Sequence, residues 1–149
     1  MDPTKISSLV VAVFFTLTFP AAWLLATFVV SWSGWHKYAL RYPAEAQPRG
    51  TVYDSPLSRF GTILATYRNV VRVVFGETGI HFSVRFVFRP FHAPFLVPWS
   101  SVQRIEKTSG FFGERYCLEI TDSAGRIKVW LPVKAEADLF HYAEPSLRI

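Results

Sequence analysis

At 149 residues and 17.0 kDa the chain has room for one long helix and one compact domain of roughly 90 to 110 residues, and two folded domains are excluded. Half of the residues are hydrophobic and 17% are aromatic, which excludes a disordered tail, and a single cysteine excludes an internal disulfide or a multi-cysteine metal site. The net charge of +5 is uneven: nine Lys or Arg stand against three acids between His36 and Arg104, and six against seven from Ile105 onward.

Ile6 to Trp35 contains no Asp, Glu, Lys, Arg or His. About 20 apolar residues at about 1.5 Å each cross a hydrocarbon core, so this run predicts a transmembrane anchor over residues 1–35. It is about twice as long as the apolar core of a cleavable leader and ends in Ser-Trp-Ser-Gly-Trp, so it is expected to stay attached. Pro20 falls near its middle, where it removes a backbone hydrogen bond. Thr16, Thr18, Ala21, Ala22 and Ala26 are small enough to let another membrane helix approach. Trp32, Trp35, Lys37 and Arg41 are candidate interfacial anchors, and the basic residues after the span place the carboxyl-terminal part in the cytoplasm. The expected location is the cell (inner) membrane, crossed once.

Trp35, Tyr38 and Tyr42 share one helical face, which predicts a short interfacial helix up to Pro43, and a proline-rich linker follows, so that 36–56 form a juxtamembrane segment. From Leu57 the period becomes that of strands. Ile63–Tyr67 and Val70–Phe75 precede a Gly-Glu-Thr-Gly turn, and His81–Arg89 alternates, with Phe82, Val84, Phe86 and Phe88 directed inward. Two more strands come from Val97–Thr108, with a break near Ser100. Arg115–Thr121 and Arg126–Leu131, joined by Asp122-Ser-Ala-Gly125, form a hairpin with Tyr116, Leu118, Ile120, Ile127, Val129 and Leu131 inside. Cys117 lies within it as a small strand side chain. Lys134–Ala143 reads as a helix that covers the sheet with Val133, Ala137 and Phe140.

Six or seven short antiparallel strands followed by one helix, with Gly79-Ile80 opening a strand and Leu96-Val-Pro-Trp-Ser-Ser-Val102 leading into another, resemble a pleckstrin-homology-like domain of the bacterial PH and GRAM-like kind. With Gly34-Trp35-His36-Lys37-Tyr38-Ala39 after the span, the layout is similar to that of uncharacterised bacterial single-pass membrane proteins. The resemblance implies an α+β membrane protein: a transmembrane helix, then a PH-like β-barrel over 57–149 closed by a carboxyl-terminal helix, with no known ligand. A tethered five-stranded OB barrel is the alternative; its helix would sit between the third and fourth strands rather than at the end.

No zinc spacing, phosphate-cradling glycine loop or nucleophile elbow occurs, and His36, His81, His92 and His141 are scattered. The expectation is therefore a non-enzymatic module without cofactor, an adaptor or accessory subunit of a membrane complex, whose partners are the lipid bilayer and another membrane protein. An anionic-headgroup-binding domain is the alternative, and a membrane-tethered hydrolase a further one. Candidate contacts with membrane or partner are Arg85, Arg89, Phe91, His92 and Phe95, in a run that interleaves aromatic and basic residues, and the candidate basic face is Arg59, Arg68 and Arg72. The same interleaving occurs in single-strand readers, but a domain tethered at a bilayer is not expected to bind nucleic acid.

Overall fold

The computed structural model describes residues 2–148. Helix α1 (Pro3–Val30) starts at Asp2, whose carboxylate caps the Thr4 N–H. It continues through one π turn (Ser31–Trp35) into α2 (His36–Arg41), an unbroken helical path of 39 residues, long and apolar enough to cross a membrane. The helix runs on through Pro20.

Nine strands follow among the described residues, in two antiparallel sheets. β1 (Tyr53–Asp54), β4 (Val71–Phe75), β5 (Gly79–Val84) and β6 (Phe95–Pro98) form the first, in the order β1-β4-β5-β6. β2 (Leu57–Phe60), β3 (Thr66–Tyr67), β7 (Val102–Gly110), β8 (Gly113–Asp122) and β9 (Gly125–Pro132) form the second, in the order β3-β2-β9-β8-β7. The expected closed barrel of six or seven strands is corrected on both counts: the sheets pack face to face without closing. Short pairings that a propensity pattern does not display, such as Tyr53 with Val73 and Ser58 with Tyr67, supply the additional strands.

Alternation decides the core. Val71, Val73 and Phe75, with Ile80, Phe82 and Val84, bury one side of the first sheet against Leu118, Ile120, Ile127, Val129 and Leu131 of the second. The terminal helix α3 (Glu136–Tyr142) covers this core with Ala135, Leu139 and Ala143. Its buried stripe is therefore not the expected Val133, Ala137 and Phe140; Ala137 is exposed, and Phe140 lies at the edge, against Tyr116.

Two strand expectations shorten and a third holds. In the first, Ile63 and Leu64 stand exposed in a turn, so that only Thr66–Tyr67 pairs. In the second, β5 ends at Val84, because Arg85 begins a turn in which the Phe88 N–H donates to the Arg85 carbonyl, and Pro90 has no N–H to continue a ladder. Phe86, expected inside, is accordingly 78% exposed. The third, a break near Ser100 between two strands, is found as a single 3-10 turn, Trp99–Ser101.

The juxtamembrane segment is corrected most. Thr27, Ser31, Gly34, Trp35 and Tyr38 form one buried stripe on the helical path. Trp35, expected as an interfacial anchor, is a core residue packed edge-on against Phe60, Tyr67, His92 and Phe95, and its indole N–H donates to the Ala93 carbonyl at 2.8 Å. At the far end of α2, Arg41 and the Tyr42 hydroxyl both bond Asp122 in the β8–β9 turn. Burial alone would raise the Asp122 carboxyl, but Tyr42, the Ala124 N–H and Arg41 outweigh it and hold it below the usual range.

Candidate functional site

Where the helix leaves its most apolar stretch, the β domain closes around it. The Trp23 indole donates to the Val87 carbonyl at 3.2 Å and its ring lies 5.1 Å from Phe88. One turn later Phe28 meets Phe91 edge-on at 5.2 Å, and the Ser31 hydroxyl donates to the Phe91 carbonyl. The segment 85–94 thus lies along the helix from Trp23 to Trp35. Phe91 has a positive φ of 62°, the turn that brings its ring back to Phe28.

His92 pins this segment from beneath. Its Nδ1 is 2.8 Å from the Pro90 carbonyl and its Nε2 is 2.8 Å from the Tyr67 hydroxyl. A carbonyl only accepts, so Nδ1 carries the proton and Nε2 accepts from Tyr67. Burial lowers the imidazole from its ordinary value of 6.5, partly opposed by bonds to the Pro90 and Phe88 carbonyls, and burial raises the Tyr67 phenol. Because the unfolded imidazole binds a proton more readily than the folded one, stability contributed by neutral His92 is present above its ordinary value and is lost as pH falls toward the lower folded value. The thermal midpoint is therefore expected to drop between about pH 7.5 and about pH 5.5, and His92→Phe to flatten that slope. His81, also lowered by burial, leaves a residual slope. An identical slope in the variant would show that His92 is not a source of it.

The five candidate contacts separate. Phe95 is wholly buried and stacks on Phe82, and His92 is buried, so neither can meet a membrane or a partner. Both follow the turn at Pro90, where the chain heads back into the sheet. Phe91 is half exposed, and Arg89 lies over the Phe86 ring at 5.6 Å. Arg85 bonds Asp54 at 3.1 Å. The expected basic face also divides. Arg59 leans on Thr66 from β2, and Arg68 lines the groove between the domain and Trp23, Ala26, Thr27 and Val30. Arg72 points from the opposite side of the first sheet, 3.8 Å from Asp54. Of the other anchors, Trp32 is exposed and stacks on His36 at 4.4 Å, Lys37 lies over the Tyr38 ring at 5.0 Å, and Arg41 is held by Asp122.

Sequence reading missed two exposed apolar pairs. Ile63 and Leu64 stand exposed beside Thr62, whose hydroxyl donates to the Ser33 carbonyl at 3.2 Å. Phe111 and Phe112 stand exposed at the tip of the β7–β8 hairpin, and Phe112 shares a hollow with Arg68 and Arg115. Paired aromatics between Gly110 and Gly113 were the available signal. Among the described residues no group of three or more His, Cys, Asp or Glu is placed to hold a metal ion. Compared with protein-family models, with curated proteins and with solved structures, the chain matches none.

Proposed function

We propose that the chain is a single-pass membrane protein whose β domain, of PH-like type, serves as a binding module seated on the headgroup layer beside its own anchor. One observation carries this reading: the loop that packs on Trp23 exposes Phe86 and Val87, at 78% and 61%, beside Arg85 and Arg89. A helix segment of about 20 residues suffices for a hydrocarbon core, and Pro3 to Ala22 supplies it, so Trp23 falls at the level of the headgroups. Apolar side chains flanked by arginines match that layer, with rings reaching toward the acyl boundary and guanidiniums pairing with phosphates. The charges following the span favour a cytoplasmic domain at the inner membrane. Such a module needs no catalysis; it holds a bound group at a fixed height.

A second reading, the accessory subunit of a membrane complex, is favoured by Phe111, which is 98% exposed. In that reading the hairpin tip meets another protein, and Ala22, exposed on α1, remains open to a neighbouring helix. Ala26, by contrast, already borders the groove to the chain's own domain.

One experiment addresses both. In full-length protein reconstituted into nanodiscs, a lipid-borne spin label is expected to broaden signals of Phe86, Val87 and Leu64 strongly. The effect on Phe86 is expected to fall when Arg85 and Arg89 are both replaced by Gln. If the Phe111 signal stays sharp, the tip is free for a protein partner; if it broadens, the tip belongs to the bilayer contact. Sharp signals from Phe86 and Val87 would end the headgroup-seated reading.

A further inference from the structure

The side of the first sheet that faces away from the core is not bare. Residues 43–50 cross it as a strap held at both ends. At one end Pro43 bridges to Phe95 and the Leu96 N–H donates to the Tyr42 carbonyl at 2.9 Å. At the other, Pro48 packs so closely on Gly76 that an added Cβ there would lie 2.9 Å from its ring. Between these ends Ala44 to Gln47 form one wall of a cleft of about 450 Å³, within the size range of small-ligand sites. Its floor is built by cross-strand neighbours: Arg72 stands opposite Ser83, and His81 is the next outward residue on β5. Arg89, His92 and Pro94 complete the rim.

Two residues of the lining carry a buried nitrogen that makes no hydrogen bond. His81 is 3% exposed, yet its Nδ1 makes no hydrogen bond, and the Nε of Arg72 is likewise buried without one, Asp54 Oδ1 lying 3.8 Å from it, beyond hydrogen-bond reach. Buried polar atoms are almost always bonded, and one left unpaired costs stability unless something bound supplies the bond. The charged side chains lining the cleft are Arg72 and Arg89 against Glu45, and Asp54, outside the lining, is bonded by Arg85 at 3.1 Å and stands 3.8 Å from Arg72.

We propose that this cleft binds a phosphate-bearing anion, with the phosphate between Arg72 and Arg89, Ser83 and His81 completing its hydrogen bonds, and Glu45 accepting from a hydroxyl or ammonium on the attached group. A planar guanidinium fork matches phosphate oxygens, and the Ser83 hydroxyl adds a neutral donor. Because burial lowers His81, its imidazole is neutral near pH 7 and offers one N–H and one acceptor, which suits a singly protonated phosphate. The same chemistry belongs to a free phosphate ester and to a lipid headgroup. The proposal does not require the domain to rest on the bilayer: the floor comes from β4 and β5 and one wall from the strap, and Arg89 is the charged group that the cleft shares with the exposed loop.

The test uses the full-length chain in maltoside micelles, which carry no phosphate. One arm titrates inorganic phosphate and the other adds short-chain phosphatidic acid to the micelles. Saturable binding is expected in at least one arm, weakened about tenfold or more by Arg72→Gln and by Arg89→Gln and unchanged by Arg68→Gln. Saturation by inorganic phosphate identifies a free phosphate ligand; saturation by phosphatidic acid alone identifies a headgroup. Both arginines are partly exposed, so their variants are expected to fold, and circular dichroism checks this. The proposal is overturned if neither probe saturates, if both cleft variants bind like the parent, or if Arg68→Gln weakens binding as much as they do. The nanodisc broadening of Phe86 can succeed while this titration fails, and the reverse.

Discussion

Replacing Trp35 by Ala is expected to lower the stability of the full-length protein by about 3–5 kcal/mol, a large share of the 5–15 kcal/mol that holds a typical domain together. Trp35 has no exposed surface, its indole meets four aromatic rings from β2, β3, β6 and the 85–94 segment, and its N–H satisfies the Ala93 carbonyl. Truncation would leave a cavity at the one point where helix, both sheets and the 85–94 segment converge, and would remove the hydrogen bond to the Ala93 carbonyl as well. Trp32, three residues away and 63% exposed, is the internal control: Trp32→Ala is expected to shift unfolding by no more than about 0.5 kcal/mol. Denaturant unfolding in a mild detergent, followed by near-ultraviolet circular dichroism, measures both. Equal losses would mean that Trp35 is not the keystone of this junction.

The contrast between these two tryptophans also shows where sequence reading stops. Both follow an apolar run and both suit an interfacial belt, and only the partner surface tells them apart. That surface was invisible, because the residues leading to it (Thr27, Ser31, Gly34) are small and read as ordinary occupants of a membrane helix. The β8–β9 hairpin, in contrast, was legible to within two residues, since its alternation is strict and its four-residue turn carries Asp and Gly. Alternation misled in 81–89, where Phe86 continued the pattern on paper after the chain had already turned at Arg85. His81 falls on the outward face by the same alternation. It is buried because a strap read as a linker lies over it, a long-range contact that no local period encodes. Of the candidate site, the basic and aromatic content of 85–99 was apparent; which of those side chains turn inward was not.

The same junction predicts an unusual sign at Gly34. In an exposed helix, Gly→Ala adds roughly 0.5–1 kcal/mol of stability, because the backbone has less freedom to lose. At Gly34 a Cβ would collide with the Phe60 carbonyl oxygen, lie 2.5 Å from the Ala65 Cβ and sit 3.1 Å from the Phe60 carbonyl carbon. The first and last of these belong to the backbone of β2 and its turn, held in turn by the Phe60 N–H bond to Ala65 at 3.0 Å, so neither can step aside cheaply. Overpacking of this kind costs about 1–3 kcal/mol or more, which outweighs the propensity gain. Gly34→Ala is therefore expected to destabilise, and Gly34→Val to do so further by forcing the helix off β2 and taking Trp35 partly out of its pocket. Gly110, with nothing within 4 Å of an added Cβ, is expected to accept Ala with little change. Unfolding midpoints give the ordering, and limited proteolysis gives the mechanism: cleavage between Ser31 and Tyr42 should accelerate in Gly34→Val and stay slow in Gly110→Ala. A stabilised Gly34→Ala would mean that the helix stands clear of the sheet. The functional weight of the contact follows from its position. A domain on a flexible tether samples every tilt and distance, whereas one clamped to its helix at Gly34 and Trp35 holds the 85–91 loop, and the strap cleft behind it, at one position along that helix, which is what the proposed headgroup-seated reading requires.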